Sequence, residues 1–549
     1  MTPDAPPTIA AALHERRADD RPALLFEGRT WTWAEVAREA DRRGAMLLGL
    51  QPEDAPDLHV GVLLDNVPDF VFLLFGAALV GATIVGINPT RRGNELARDI
   101  IHTDCNLVVT DPERAPMLAQ LDLGAANDRV LVTPGIAYED SPDEYAPRPS
   151  PDDLYLLLFT SGSTGAPKAV RMSHGRAARQ AWESARAFTP DDSLYCAMPL
   201  FHGNALIANL FPALVAGARV VLRRRFSASG FGPDIRAHRC TYFNYVGRAL
   251  AYIVAVPETP EDGDNQLKWA LGSEASPLTI SEFTRRYGCP IFEGYGSSEN
   301  AVIIQPAPGM PTGALGRPKR GTDVAIVDAA TGEECATAVL DDSGRLLNPD
   351  AAIGEIVGRN TASQFEGYYR NPEADAQRTR NGWYWSGDLG YRDCDGWVYF
   401  AGRTADWLRV DGENFSAGAV ERILNRYPES TGVAVYGVPD PVTGDQVMVA
   451  IEGQTALDLT AFAAFLAAQP DLGTKWAPRF IRVVPELPVT ATRKVDKAVL
   501  RGQRWELGTV YWRDAQGAYR PMTTEDRDAL RRRFEENVRL ALLGDLPGS

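Results

Sequence analysis

An apolar run, Leu157-Leu158-Phe159, breaks into Thr160-Ser161-Gly162-Ser163-Thr164-Gly165-Ala166-Pro167-Lys168 and resumes at Ala169-Val170. Hydroxyls and glycines that end in a lysine, between two strand-like segments, suit a loop that cradles phosphate. Glycine permits positive φ and close approach of N–H groups, and the lysine adds a mobile point charge. The loop is not a Walker A motif, which needs a longer spacing between its glycines and a Ser or Thr directly after the lysine; here Ala169 follows Lys168. Taken alone, the stretch also fits an ordinary Gly/Ser hairpin turn.

Other residues offer matching chemistry. In Ile291-Phe292-Glu293-Gly294-Tyr295-Gly296-Ser297-Ser298-Glu299 a strand-like start opens into small residues carrying one aromatic and one carboxylate. Tyr295 presents a flat face suited to a base and Glu299 an oxygen ligand suited to Mg²⁺; the bland alternative is a surface turn with a solvated acid. Asp388, between Gly387 and Leu389, suits bidentate capture of ribose hydroxyls, and Arg403 a ribose or phosphate oxygen. His202, in Pro199-Leu200-Phe201-His202-Gly203, reads either as a gate at a pocket mouth or as a hydrogen-bonded structural residue.

The elements that must position these residues alternate. Val60 to Leu64 reads as a strand, Pro68 to Val80 as a helix, Ala82 to Ile87 as a strand, Asn94 to His102 as a helix and Leu107 to Thr110 as a strand. Such alternation predicts an α/β fold with largely parallel sheets. Phe70 to Ile87 is apolar except for Thr83 and just reaches membrane-spanning length. Gly81-Ala82 interrupts it and Asn88-Pro89 closes it, so a buried helix, a tight turn and a buried strand are expected, with peripheral membrane attachment left open. Past Arg403 the texture becomes that of a compact smaller unit. The expected division is 1–403 and 404–549, ending in a helix over Thr524 to Leu543 with Arg531, Arg532 and Arg533 on its solvated face.

Composition bounds the rest. A chain of 549 residues exceeds one ordinary core, and 45% apolar content supports folding. A formal charge of −16 argues against a general nucleic-acid surface. The cysteines (Cys105, Cys196, Cys240, Cys289, Cys335, Cys394) form no CxxC pair, which favours free thiols in a reducing compartment. Met1 to Asp20 lacks the positive start and apolar core of a signal peptide, so a cytoplasmic protein is expected.

Five segments in fixed order make the chain resemble the adenylate-forming superfamily of acyl-CoA synthetases, peptide-synthetase adenylation domains and luciferases. Thr160 to Lys168 resembles its phosphate loop, Tyr295 with Ser298 and Glu299 its Tyr-Gly-x-Thr-Glu motif with Ser for Thr, Asp388 its ribose aspartate, Arg403 its ribose and phosphate arginine, and Lys494 its catalytic lysine. Gly272-Ser273-Glu274 is similar to its adenine-pocket strand end. Gly412-Glu413-Asn414-Phe415, Thr404 and the tail through Tyr519-Arg520-Pro521 look closest to the fatty-acid-transport and very-long-chain branch. Two departures stand out: Ala405 at the hinge, usually Asp or Lys, and Arg493 for the glycine preceding the catalytic lysine.

The resemblance implies a large adenylating domain of stacked α/β subdomains and a small mobile α+β domain, using ATP, Mg²⁺ and CoA. Lys494, Glu299 and Thr160 would be catalytic. Nucleotide and CoA would meet Ser161, Gly162, Ser163, Thr164, Lys168, Gly272, Ser273, Glu274, Gly294, Tyr295, Gly296, Ser297, Ser298, Asp388, Arg403 and Gly412. The acid would lie near His202, Tyr245, Val246, Gly247 and Gly296, with Leu206 and Phe243 beside it. An apolar carboxylic acid, a long-chain fatty acid first, would become an acyl adenylate and then an acyl-CoA. Alternatives are adenylation alone or loading of a carrier protein, with a polycyclic or terpenoid acid, or, in another class, a membrane-associated fatty-acid uptake protein. A homodimer is compatible with this reading; the identity of the acid and the effects of Ala405 and Arg493 are left open.

Overall fold

The computed structural model describes the chain except for residues 1–6, 53–56, 137, 139–148, 161–167, 247–248, 274, 276, 312, 342–343, 345, 404–405, 411–412, 429, 443–444, 454–456, 470–471, 474, 491–492, 515–517, 538 and 544–549. Two compact units emerge: one of Met1–Pro306, Thr361–Tyr384 and Ala491–Arg493, the other of Ala307–Asn360, Trp385–Thr490 and Lys494–Ser549.

The first unit holds two sheets. In one, strands run in the order Val130–Val132, Leu107–Thr110, His59–Leu63, Thr83–Gly86, Leu154–Phe159 and Ala169–Ser173. All neighbours are parallel except the last pair, a hairpin. Strands His59–Leu63, Thr83–Gly86 and Leu107–Thr110 are buried at every position and Leu154–Phe159 at all but its ends, the pattern of a parallel sheet covered on both faces. Helix Pro68–Val80 starts with proline at its first turn and stops at Gly81, whose φ of 79° is the left-handed conformation that glycine adopts without strain. Every side chain from Phe70 to Leu79 is buried, so this helix is apolar all round for the reason core helices are. A Cβ on Gly76 would meet Ala40 O at 2.8 Å, so only glycine lets helix Trp33–Leu50 cross there. The expected helix, turn and strand over 70–87 are thus observed. Among the described residues no helix is long and apolar enough to cross a membrane.

The second sheet of this unit runs Ile291–Glu293, Trp269–Gly272, Tyr242–Asn244, Ser193–Cys196, Arg219–Leu222, Pro22–Phe26 and Arg29–Thr32, parallel except at the final edge. Loops leaving the carboxyl ends of four of its strands carry Met198 to His202, Tyr245, Ser273 and Gly294 to Glu299, where ligands bind in open α/β sheets. Asn66, 4% exposed, ties the two sheets at these ends: its Nδ2 donates to Met198 O at 2.8 Å and its Oδ1 accepts from Leu200 N at 2.8 Å.

The second unit carries an antiparallel sheet, Ala314–Pro318, Val398–Arg403, Trp383–Arg392, Gly354–Gly358 and Val324–Val327, in which Asp388 pairs with Arg403. Its five-stranded sheet runs Gly432–Pro439, Asp445–Glu452, Phe480–Val484, Val510–Arg513 and Tyr519–Pro521, packed with helices Ala417–Leu424 and Leu459–Ala467. The terminal helix is shorter than expected, Thr524–Glu536, closing at Asn537 before a 3₁₀ turn at Leu540–Leu543. Leu530 and Phe534 are buried, and Arg531, Arg532 and Arg533 face solvent. All six cysteines are free thiols.

Candidate active site

Side chains from two separated stretches of the sequence, Glu299 in one and Tyr368 with Arg378 in the other, meet beside the hairpin Leu154–Phe159 and Ala169–Ser173. The hairpin is closed by Thr160 N donating to Lys168 O at 3.1 Å, with Thr160 Oγ1 donating to the same oxygen at 3.5 Å. Ser161, Gly162, Ser163 and Thr164 lie outside the described residues. The outer edge of strand Ala169–Ser173 takes on the segment around Tyr368: Arg171 N donates to Gly367 O at 3.0 Å and Tyr369 N to Ala169 O at 2.8 Å. Backbone pairing of this kind fixes where a side chain points, and here it aims Tyr368 at Glu299. The Tyr368 hydroxyl donates to Glu299 Oε1 at 2.6 Å and accepts from Arg378 Nε at 3.3 Å. Arg378 reaches it from the last turn of helix Pro372–Arg378, which begins where the Asn371 side chain accepts from Ala374 N at 3.1 Å.

Glu299 is 5% exposed, so its charge is held by this partner and by nearby cations rather than by bulk water. Lys168 Nζ stands 5.9 Å from the Tyr368 ring centroid. Burial and, less strongly, the Arg378 charge lower the Lys168 pKa, against the pull of Glu299. Burial, then the Glu299 charge, raise that of Tyr368, which keeps its hydroxyl a donor. Arg176, 3% exposed, donates to Ser298 O at 2.5 Å and holds the loop before Glu299. Ser297 bonds to the Tyr384 hydroxyl. Tyr295 is paired with Ile304 through both backbone bonds at 2.9 Å. A carboxylate with cations on the same side suits a divalent ion that is completed by phosphate oxygens, and the oxygen donor of Glu299 fits Mg²⁺.

A second grouping lies at the strand ends. Gly294 N donates to Gly272 O at 3.3 Å, and Ala275 N donates to Glu293 Oε1 at 2.8 Å, while Ser273 is half-buried and Glu274 falls outside the described residues. Beside them opens a cavity of about 260 Å³ in the first unit, walled by Tyr195, Met198, Phe231, Phe243, Tyr245 and Ile253 among others. Of the residues expected around the acid, Tyr245 and Phe243 line this cavity; His202, Val246, Leu206 and Gly296 do not, and Gly247 is outside the described residues. His202 Nδ1 accepts from Asn204 N at 3.2 Å, a helix-capping bond. The next residue, Gly203, would place a Cβ 3.8 Å from Ser298 Oγ, so this turn borders the Glu299 loop. Arg493, grouped with the first unit, also lines the cavity. Its φ is 63°, the region glycine prefers, and its guanidinium lies 4.8 Å from the Phe226 ring centroid.

In the second unit Asp388 is half-buried and its N–H donates to Ser386 Oγ at 3.1 Å. Gly387, at φ 73°, donates to Glu355 Oε1 at 2.7 Å, a turn that requires glycine and sets the exit angle of Asp388. Lys494 sits on a tight loop in which Thr490 N donates to Lys494 O at 2.7 Å and Lys494 N to Thr490 Oγ1 at 3.3 Å. Asp496 then caps helix Lys497–Gln503, and Lys497 is engaged by Glu421 at 2.9 Å. Ala405 and Gly412 lie outside the described residues.

Tyr368, Arg378, Arg176 and Glu293 were not singled out from the sequence. Gly367-Tyr368-Tyr369-Arg370-Asn371-Pro372 has a turn, two aromatics and a helix start, yet nothing in it points to an acid at position 299.

Comparison with known proteins supplies the chemistry. The AMP-binding enzyme family model matches residues 11–369, and that of the AMP-binding enzyme C-terminal domain matches 419–494. A steroid-22-oyl-CoA synthetase of Rhodococcus jostii is 50% identical over 98% of this chain and 99% of its own length. A medium/long-chain-fatty-acid–CoA ligase, FadD17, of Mycobacterium tuberculosis is 42% identical over 92% of this chain and 97% of its own. ATP-bound MatB from Rhodopseudomonas palustris, at 24% identity, shares the fold with a TM-score of 0.77 over 90% of this chain and 98% of that one.

Proposed function

The chain belongs to the AMP-binding enzyme family and is an acyl-CoA synthetase, and from that premise we propose that its acid is bulky and apolar, a steroid side-chain carboxylic acid before a linear fatty acid. This reverses the order read from the sequence. The observation that carries it is an apolar, aromatic-walled cavity at the carboxyl ends of parallel strands, in the unit that also holds Glu299 and Lys168. Identity of 50% along the whole length to a steroid-22-oyl-CoA synthetase favours the polycyclic acid, and 42% to a fatty-acid ligase keeps the linear acid second.

The first obstacle is charge, since a carboxylate must attack a polyphosphate. Lys494 bridges the two, and an oxygen of the carboxylate bonds to the α-phosphorus as the bond to the β-phosphate oxygen breaks and pyrophosphate leaves. Thr160, its loop and Lys168 hold the departing phosphates. Glu299 would hold Mg²⁺, which would supply charge neutralisation at those oxygens. Asp388 and Arg403 hold the ribose, and Tyr295 with Gly272 to Glu274 flank the base. In the second step the CoA sulfur, its proton lost, bonds to the acyl carbon and AMP leaves. Gly412 lies in the segment presented to CoA, and Ala405 is the hinge between the two steps.

The division at residue 404 belongs to this reading and is supported by family matches that fall on either side of it. A cytoplasmic location, peripheral membrane contact and a homodimer are its further expectations. Incubating a panel of acids with ATP, with and without CoA, tests it. Acid-dependent AMP release with matching thioester supports the synthetase; an adenylate that accumulates despite CoA supports transfer to another acceptor.

A further inference from the structure

Tyr245 forms part of the wall of the cavity. The residue is 1% exposed, and Gly272, against which its ring packs, is not among the residues that line the cavity. The ring lies flat against the strand end: a Cβ on Gly272 would fall 2.0 Å from Tyr245 Cζ and 2.1 Å from Cε1. No side chain is compatible with that contact, so glycine at 272 is what lets the ring stand there. Two further bonds hold it. Tyr245 N donates to Leu271 O at 3.1 Å, and its hydroxyl donates to Glu293 Oε1 at 2.9 Å. That same carboxylate oxygen accepts from Ala275 N at 2.8 Å, so the partner is itself fixed to the loop after the strand. Burial, then the Glu293 charge, raise the hydroxyl's pKa, so it remains a donor.

We propose that Tyr245 is the specificity-determining end wall of the acyl cavity, locked by Gly272 and Glu293, and that it separates the acid's apolar body from the strand end assigned to the nucleotide. The wall caps how far an extended acid penetrates, and this, rather than the general apolar lining, selects a broad, compact acid over a long linear one. The inference rests on the synthetase reading.

The test measures kcat and KM for octanoate, palmitate and a steroid side-chain acid in wild type, Tyr245→Ala, Tyr245→Phe, Gly272→Ala and the double variant Tyr245→Ala/Gly272→Ala. Removing the ring is expected to raise kcat/KM for palmitate relative to octanoate by about tenfold, mainly through KM, since each added methylene in an apolar pocket counts. Gly272→Ala pushes the ring into the cavity and is expected to raise KM for the steroid acid more than for octanoate. The double variant, lacking the ring, should regain the Tyr245→Ala ranking, an outcome that simple destabilisation does not produce. Tyr245→Phe keeps the ring and should keep the wild-type ranking. If Tyr245→Ala does not fold, Tyr245→Leu carries the same test. An unchanged ranking in an active ring-less variant overturns the wall while leaving the synthetase intact. A wild type that consumes ATP with none of the acids overturns both.

Discussion

The Glu299 corner and the apolar cavity are neighbours in one unit, both at the ends of parallel strands, and they are built on opposite principles. At Glu299 a carboxylate with 5% exposure is held by Tyr368, which Arg378 holds in turn. Each member has a directional bond, so removing one leaves another buried polar group unsatisfied. In the cavity much of the wall is Phe231, Phe243 and Ile253, whose contacts are non-directional, with hydrogen-bonded side chains such as Asn66, Asn244 and Tyr245 set among them. The first arrangement ties each group to a set partner and tolerates little change; the second fixes mainly a volume, which can drift without disturbing that network.

If that contrast is right, the largest effects belong to the charged groups. Lys494→Ala and Glu299→Gln should each lower acid-dependent pyrophosphate exchange by on the order of 100-fold or more, about 3 kcal/mol of transition-state stabilisation. Exchange at near-normal rates in either would break the comparison.

A scaffold residue separates folding from function. His174 is fully buried, stacked on Tyr155 with ring centroids 4.5 Å apart, and burial depresses its pKa from 6.5 to about 4. Its folded state therefore favours the neutral ring. The unfolded chain takes up the proton first as pH falls, so stability is full above the unfolded value near 6.5 and declines between there and about 4. Linkage puts that loss at about 3 kcal/mol. Urea unfolding across this window should show the slope in wild type and a flatter one in His174→Phe, without a change in acid ranking.

Tyr368→Phe removes one hydroxyl between Glu299 and Arg378. It should raise the Mg²⁺ concentration needed for half-maximal nucleotide binding by about tenfold, read by fluorescence titration with ATP, and cost about 1–3 kcal/mol of stability through the bond that Glu299 loses. The smallest effect is expected at Arg493, where the backbone already has the glycine-like φ of 63°. Arg493→Gly should leave stability within about 1 kcal/mol and shift acid preference more than pyrophosphate exchange, because its guanidinium borders the cavity.

How far the sequence disclosed each region follows the same division. Thr160, Lys168 and Glu299 stood out in the sequence as candidates because glycines, hydroxyls and one charge in a short span have few other uses, and their roles belong to the proposed function. The buried helix and strand over 70–87 were legible from Gly81 and Asn88-Pro89, which rule out a continuous span. Tyr368 and Arg378 were not, since an edge strand brings them to Glu299 from another part of the chain. Tyr245 was named for the acid, but its lock depends on the missing side chain at Gly272 and on Glu293, a relation only the folded sheet creates. Leu206 and Val246 are apolar and adjacent in sequence to the site, yet both pack into the core, and apolar residues alone do not say which side of a strand they face. The terminal helix stops at Glu536, where Asn537 caps it with its N–H donating to Arg533 O, although apolar residues continue beyond it to the buried Leu543.

The most direct test is to incubate the wild-type protein with ATP, Mg²⁺, CoA and a steroid side-chain acid, following AMP and thioester together. Both are expected in equal amounts and only when the acid is present. Nucleotide left intact across that acid and a series of fatty acids would contradict that expectation.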